Sequence, residues 1–445
     1  MQSLSIKFLI ILFFFSISIS IYSNQVRIDS LKTNQKIVVD SIRIVGNEKT
    51  KDFIILRELT FSIGNSVNNK ILHFNRERIF SLGLFNRVEV GVDSLSHSKV
   101  IISVEETWYI YPIPFWSIEK NSVKNLTVGL DLLWNNFRGR NETLQFLFGL
   151  GYDPFFSIQY VNPALSYDDK IGISIGLGYY KVRNKNEEVK KLVATDFNFR
   201  MMRISIGLFK RINQFNLIGG SIGFDYTQNE FERAKFVMAS KSLIDRSPFI
   251  SGYYFYDTRD LKQFPQEGKY FFINFIHKGF NLYNVSYNIL KTDFRFYQKL
   301  FYDFILKERI FNRETFGEKI PTYDYSYLGY EEKIRGYNNV YFEGKNSLLT
   351  SIELSYPILN EWNLSLDLPL IPKSLTTARI GIYASAFFDA GSSFDKFSSL
   401  KISKLSSGYG FGISILVLPF ETFRIEYSFN KFGKGEFVIA NRYSF

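Results

Sequence analysis

From Val123 to its last residues the chain alternates apolar with small or polar residues at period two. Leu126, Val128, Leu130 and Leu132 interleave with Asn125, Thr127, Gly129 and Asp131. Ile171, Ile173, Ile175 and Leu177 interleave with Gly172, Ser174, Gly176 and Gly178, and Phe423, Ile425, Tyr427 and Phe429 with Thr422, Arg424, Glu426 and Ser428. Successive strand side chains face opposite ways, so each run has one apolar face and one small or polar face. The alternation predicts 16 strands, beginning near residues 123, 140, 154, 170, 192, 215, 248, 268, 285, 301, 322, 346, 378, 406, 421 and 436. An even count suits a single-chain membrane barrel. A soluble β-sandwich alternates too, but here the charges lie opposite Phe and Tyr. Aromatics are 18% of the chain, with 47 Phe and 28 Tyr, as aromatic girdles require. The reading is an all-β membrane barrel of about 16 antiparallel strands over residues 123–445, with the run near 436 closing against the run near 123.

A mean hydropathy of -0.06, with no long apolar stretch past the N-terminus, argues against spanning helices. Lys7 followed by the apolar run Phe8 to Tyr22 reads as a secretory signal peptide over residues 1–23, cleaved between about Ser20 and Gln25. The chain has no cysteine, hence no disulfide. Residues 37–106 read as one small α+β domain of order β-α-α-β-β. It has a strand over Val38–Val45 ending at Gly46-Asn47, and a helix from a Thr50 cap through Leu59. A helix over Asn68–Leu82 stopped by Gly83 and strands near Val88–Val92 and Val100–Val104 complete it. Residues 107–122 read as a linker.

The net charge of +11 is dispersed; its densest cluster, Lys181 to Lys191, contains Glu187 and Glu188 and reads as a solvated loop. No basic stripe points to nucleic acid. Gly172-Ile173-Ser174-Ile175-Gly176 and Gly219-Gly220-Ser221-Ile222-Gly223 fit the nucleophile-elbow pattern, but both lie inside alternating strands. That motif needs a strand–turn–helix setting and a histidine partner. His73, His97 and His277 lack metal-ligand spacing. Neither catalysis, a metal nor a cofactor is expected.

Four segments carry the rest. Gly46, Asn47, Gly83 and Phe85 mark the α+β domain; Asp257-Thr258-Arg259-Asp260 precedes Pro265 and Gly268 mid-barrel. Ile334-Arg335-Gly336-Tyr337 follows, then Phe387-Phe388-Asp389-Ala390-Gly391, ahead of a run ending in Tyr443 and Phe445. A guanidinium inside a barrel needs a partner, and a carboxylate can take it bidentately. Asp389 is favoured, with Glu353 and Glu426 as alternatives. In this order the segments resemble the BamA/TamA superfamily of outer-membrane assembly and secretion barrels, over roughly residues 37–445, and the α+β domain resembles its POTRA module.

The resemblance implies an outer-membrane location with the POTRA-like domain in the periplasm. It implies a long loop carrying Ile334, Arg335, Gly336 and Tyr337 that folds into the lumen, where Arg335 meets Asp389 beside Gly391. Reversing both charges is then expected to restore what either reversal loses. Asp257, Arg259, Asp260 and Gly268 form a barrel motif, and Tyr443 and Phe445 a terminal recognition signal, although Ala440 stands where the family usually has glycine. The implied partners are unfolded outer-membrane or secreted proteins, accessory periplasmic proteins or lipoproteins, and outer-membrane lipid. Clients would add a strand to the domain's sheet edge and leave through a lateral seam between the first and last strands. A spacer or plug is the alternative for the domain. A dedicated secretion or lipid-handling pore is the alternative for the whole, because only one POTRA-like domain has room.

Overall fold

The computed structural model describes residues 28–29, 36–94, 96, 98–118, 123–166, 168–329, 332–337, 340–401, 403 and 405–441. The signal-peptide reading, Tyr443 and Phe445 lie outside the described residues. Sixteen strands form one antiparallel sheet in which each pairs with its sequence neighbour, from Ile110–Ile118 to Gly435–Asn441. No helix among the described residues is long and apolar enough to cross a membrane. The outward row is exposed and apolar, including Ile175, Leu177, Ile204, Ile206, Ile218 and Ile222. The inward row is small where a neighbouring ring needs room. A Cβ at Gly172 would lie 2.3 Å from the Phe209 ring, and one at Gly149 2.5 Å from Phe155.

Two sequence expectations fail and offset each other. Residues 107–122 are no simple linker, because Ile110–Ile118 pairs in continuous register with Leu126–Trp134. Pro112 and Pro114 hid this strand, since proline in a run argues against a central strand. As an edge strand it tolerates them. The run near 322 is not a wall strand: Thr322–Asp324 is a 3-10 turn, and Ser326–Leu328 pairs with Phe342–Gly344 in a separate ribbon. Its alternating tyrosines bind inside the lumen, where the Tyr323 hydroxyl donates to Asp245 (2.6 Å) and the Tyr327 hydroxyl to the Thr322 carbonyl (2.9 Å). The strand expected from 192 begins at Asn198, after a short helix, Glu187–Val193, capped by the Asn186 side chain. The cluster read as a solvated loop is therefore partly strand and partly helix.

The N-terminal domain has a sheet of order Ile28–Asp29, Phe85–Asp93, Lys99–Glu106, Ser41–Val45. The strand expected over Val38–Val45 is split, with Ile37–Val38 pairing with Ser66–Val67 instead. The first helix is only Asp52–Leu56, and Thr50 is not its cap. The Thr50 hydroxyl donates instead to Glu106 (2.6 Å). The second helix, Asn69–Phe80, starts at Asn68, whose side chain accepts from the Ile71 amide. Its buried Ile79 and Phe80 pack with Ile54, Ile55, Phe85 and Ile102, and this core runs on into Leu261, Phe264 and Tyr383 of the barrel.

The domain therefore sits against the barrel turns on its own side of the membrane. Lys51 N donates to the Gly139 carbonyl (2.9 Å), Arg78 to the carbonyls of Gln214 (2.6 Å) and Asp257 (3.2 Å), and Asn86 to that of Ser374 (2.8 Å).

Candidate functional site

Residues 318–345 leave the wall after Ile305–Gly317 and rejoin it at Asn346–Ser365. Within this loop Ile334, Arg335 and Tyr337 are buried, and Ile334 and Tyr337 pack on Leu328 and Leu349. Gly336 has φ +94, a left-handed turn that an L side chain rarely adopts, and a Cβ there would lie 2.8 Å from the Phe429 carbonyl oxygen. The turn aims Arg335 at the wall. Its Nε and Nη2 donate to the two oxygens of Asp389 (2.8 and 2.7 Å), and its backbone N–H adds a third bond to that carboxylate (3.0 Å). Nη1 donates to Glu353 (2.7 Å) and lies 3.6 Å from Glu426. The guanidinium stacks 3.6 Å from the centroid of Phe387.

All three candidate carboxylates thus surround one arginine. Glu353 also takes Lys307 (3.1 Å) and Glu426 takes Arg424 (2.5 Å), so Arg335, Lys307 and Arg424 face Asp389, Glu353 and Glu426. The cluster is neutral as well as hydrogen-bonded, the condition under which buried ions persist. Gly391 leaves space for Ile334, whose Cδ1 would be 3.2 Å from an added Cβ.

Sequence reading missed Gly408. It pairs with Asp389 across the sheet, and a Cβ there would lie 1.8 Å from the Arg335 carbonyl oxygen. The signal was present in the glycine-rich run Gly408-Tyr409-Gly410-Phe411-Gly412. Because the obstacle is backbone, Gly408→Ala is expected to displace the loop at a cost of about 1–3 kcal/mol, the usual range for overpacking. A lower urea midpoint together with faster proteolysis at residues 318–345 would register it; an unchanged loop would refute the close approach.

Asp257, Arg259, Asp260 and Gly268 build the turn between Ile244–Asp257 and Gly268–Lys278. Arg259 grips Asp257 bidentately (2.8 and 3.0 Å) and stacks 4.6 Å from Tyr270. Asp260 accepts the amides of Gln266 (3.0 Å) and Glu267 (3.3 Å). Burial pushes its carboxyl up to about 6, against those bonds. Gly268 has φ +114, and a Cβ there would lie 2.4 Å from the Thr258 carbonyl oxygen. This turn holds the N-terminal domain, since the Lys262 amide donates to Ser81 Oγ (2.9 Å).

In that domain Gly46 makes room for the Val104 carbonyl, and the Asn47 amide donates to Asp52 (2.6 Å) and the Thr50 carbonyl (2.9 Å). Gly83 ends the long helix at φ +69, and Phe85 is fully buried. Sequence reading also missed the ion pairs that dock the domain. Glu58 takes Arg211 (2.6 and 2.8 Å) and Arg78 (3.1 Å). Arg379 bridges Glu77 and Glu361 (both 2.5 Å). Burial raises the Glu58 carboxyl, but Arg211, with Lys262 and Arg78, outweighs burial and holds it down to about 2. Nothing in the local sequence links Glu77 to Arg379, 302 residues away.

Residues 136–445 match the family model of the Omp85 superfamily domain. The chain belongs to the Omp85 superfamily. Residues 37–107 match the surface antigen variable number repeat, the POTRA module. Among solved structures, BamA from Haemophilus ducreyi lacking POTRA domains 1-3 aligns with a TM-score of 0.54 at 16% identity, over 91% of this chain and 84% of that one. CdiB from Escherichia coli aligns with a TM-score of 0.54 at 11% identity, over 91% and 76%. No curated protein matches the sequence. Membership places this Omp85 protein in the outer membrane with its POTRA domain in the periplasm, among barrels of protein insertion and secretion. Such barrels are structural or transport proteins rather than enzymes. The match begins at residue 136, so the wall strand Ile110–Ile118 and nearly all of Leu126–Phe137 precede it.

Proposed function

We propose that this Omp85 protein assembles other proteins into the outer membrane, receiving unfolded clients at its POTRA domain and passing them through a lateral seam. The seam lies between Ile110–Ile118 and Gly435–Asn441, not at Val123–Trp134 as the alternation alone suggested. The observation that carries the reading is the contrast at this seam. Every other neighbouring pair of wall strands forms a ladder, whereas no ladder joins these two among the described residues. Main-chain ladders close a barrel wall in lipid, so a seam held by less than a full ladder is the place in the wall that opens most readily to another strand. The POTRA sheet ends at Ser41–Val45, an outer strand suited to main-chain pairing with an extended client. Accessory periplasmic proteins or lipoproteins would act at the same face.

The loop pinned across the lumen and the POTRA domain on the periplasmic turns favour insertion over a secretion or lipid-handling pore, because both stand in the way of an axial route. The chain contains no cysteine, so engineered pairs carry no background. Cysteines stepped along Ile110–Trp116 and Gly435–Asn441 should include an oxidised pair that abolishes assembly of client barrels, reversibly on reduction. Full activity in the locked protein would sink the lateral route. Depletion of the protein should lower many outer-membrane barrels together; loss of one secreted protein alone would favour the pore.

A further inference from the structure

Asn346–Ser365 and Thr377–Phe394 are the longest strands of the wall, with 20 and 18 residues, where the next longest have 14. A tilted strand crosses the hydrocarbon core in about 9–11 residues. The surplus lies on the periplasmic side, because the Ser374 carbonyl, in the turn between the two strands, accepts from Asn86 of the POTRA domain (2.8 Å). The neighbouring strand Ile305–Gly317 stops pairing where Ile305 stands opposite Ser355, and residues 356–365 run on past it. Among the described residues they form a ladder only with Thr377–Phe394, through register shifts between Pro357 and Trp362.

This hairpin has two unlike faces. On one, Leu368 and Ala378 are buried, Arg379 bridges Glu77 and Glu361, and Tyr383 stacks on Phe264 (4.5 Å) within the core shared with the POTRA domain. The other is apolar and exposed. Ile352, Leu354 and Tyr356 belong to the lipid-facing row of the wall, and Ile358, Leu359 and Trp362 carry that row past the end of the ladder. Trp362 stands opposite Ile380, and Ile380 opposite Val417, so one apolar line crosses three strands. Beyond it Leu370 is fully exposed at the turn, and Leu375 is exposed beside it.

A contiguous exposed apolar patch marks a contact with a protein or a membrane. Here it is one piece with the lipid-facing wall, and that continuity decides for lipid. Aromatic rings gather where the ladder with Ile305–Gly317 ends. Phe304 lies against Tyr356 (5.0 Å), and Phe301 and Tyr302 are exposed on the adjoining turn. Tyrosine and tryptophan favour the boundary between hydrocarbon and water. The backbone sets the depth. Residues 356–365 have no ladder on the side of Ile305–Gly317 among the described residues, and such an edge needs water, which the head-group region supplies and the hydrocarbon core does not. We propose that residues 356–376 form an interfacial anchor whose outer face, led by Trp362 and Leu370, rests among the phospholipid head groups of the periplasmic leaflet. The opposite face of the same hairpin holds Asn86 and Glu77, so the anchor braces the docked POTRA domain. The anchor does not depend on the lateral seam.

The test uses the full chain refolded in phospholipid vesicles. Trp362 is one of four tryptophans, so Trp108→Phe/Trp116→Phe/Trp134→Phe leaves it as the sole reporter. Its emission should lie to the blue of that of the urea-unfolded chain. Lipids brominated near the head-group end of their acyl chains should quench it more than lipids brominated near the methyl end, as for a face sunk about 5–10 Å into the boundary. Emission at the unfolded position, unquenched by either lipid, would overturn the anchor and leave the face to a protein partner. Stronger quenching by the deep bromines would overturn the head-group placement. The chain has no cysteine, so a nitroxide on Leu370→Cys gives a second reading with every tryptophan in place. Oxygen should relax it more than a water-soluble nickel chelate does; the reverse order would overturn the anchor even if the tryptophan variant does not fold. Trp362→Ser/Leu370→Ser should also speed thiol labelling of Leu261→Cys, a position buried beneath the POTRA domain, several-fold in vesicles. An unchanged rate would overturn the bracing.

Discussion

Reversing both charges, as Arg335→Asp with Asp389→Arg, is expected to fail to restore the barrel. An isolated pair would tolerate the swap. Here Arg335 also donates to Glu353 and lies close to Glu426. An aspartate at 335 would face both carboxylates, and an arginine at 389 would leave that repulsion in place. Absence of rescue is therefore the signature of the shared site and no argument against contact between Arg335 and Asp389. A neutral double change is the informative one. Arg335→Met alone strips Asp389 of the partner that holds it and should cost roughly 3–5 kcal/mol, as removal of one member of a buried pair does. Arg335→Met/Asp389→Leu leaves Lys307 with Glu353 and Arg424 with Glu426, two balanced pairs. It should regain most of that stability while leaving the loop unpinned. Arg335→Lys keeps the charge but not the two-pronged grip on Asp389, and should fall between. Urea midpoints of the refolded barrels give the stability order, and proteolysis at residues 318–345 gives the state of the loop. A double variant no more stable than Arg335→Met would show that the network is not the balanced set described.

Much of this was legible because alternation and glycine placement are local. The wall strands near 170, 215, 268, 285 and 421 could be read from period two alone, and Arg335 from its oddity inside barrel sequence. What escaped was decided elsewhere in the chain. Pro112 and Pro114 look like strand breakers until their strand is seen to stand at the end of the row of wall strands, in continuous register with Leu126–Trp134. Tyr323, Tyr325 and Tyr327 alternate as a wall strand does, but their backbone lies in the lumen, where Asp245 and Phe199 receive Tyr323. The two errors cancelled, so a correct count of sixteen concealed a shifted seam. The docking pairs Glu58–Arg211 and Glu77–Arg379 join residues far apart in sequence, and no pattern in one chain connects them.

Those docking pairs make the seating of the POTRA domain depend on pH with a defined optimum. Glu58 is held at about 2, below its ordinary 4.5, by Arg211, Lys262 and Arg78 acting against burial. Burial opposes ionisation of Glu77 too, but Arg379 and Arg76 lower it overall. A carboxylate lowered on docking stabilises the docked form above its free value, and the contribution disappears as pH falls from 4.5 toward 2. Asp260 runs the other way. It is raised from 3.8 to about 6 by burial, with Glu77 adding repulsion, so its contribution is complete below 3.8 and is lost as pH rises through 6. The two trends leave the domain most firmly seated near pH 5, somewhat looser at pH 7 and loosest near pH 2. Leu261 is 1% exposed beneath the domain, so the rate at which a thiol reagent labels Leu261→Cys reports undocking. Labelling should be slowest near pH 5 and fastest in acid; a rate that falls steadily with acidity would contradict the ion-pair account. In the same background Arg379→Met leaves Glu77 and Glu361 facing each other without their shared cation, and labelling at pH 7 should rise on the order of a hundredfold. Glu58→Gln should accelerate it in the same direction, because Arg78, Arg211 and Lys262 then converge without a carboxylate between them. If the domain is a fixed plug, these variants will unfold it in place. If it is a receiver that must lift from the periplasmic turns to hand over a client, they will speed labelling while leaving the 318–345 loop as resistant to protease as in the parent chain.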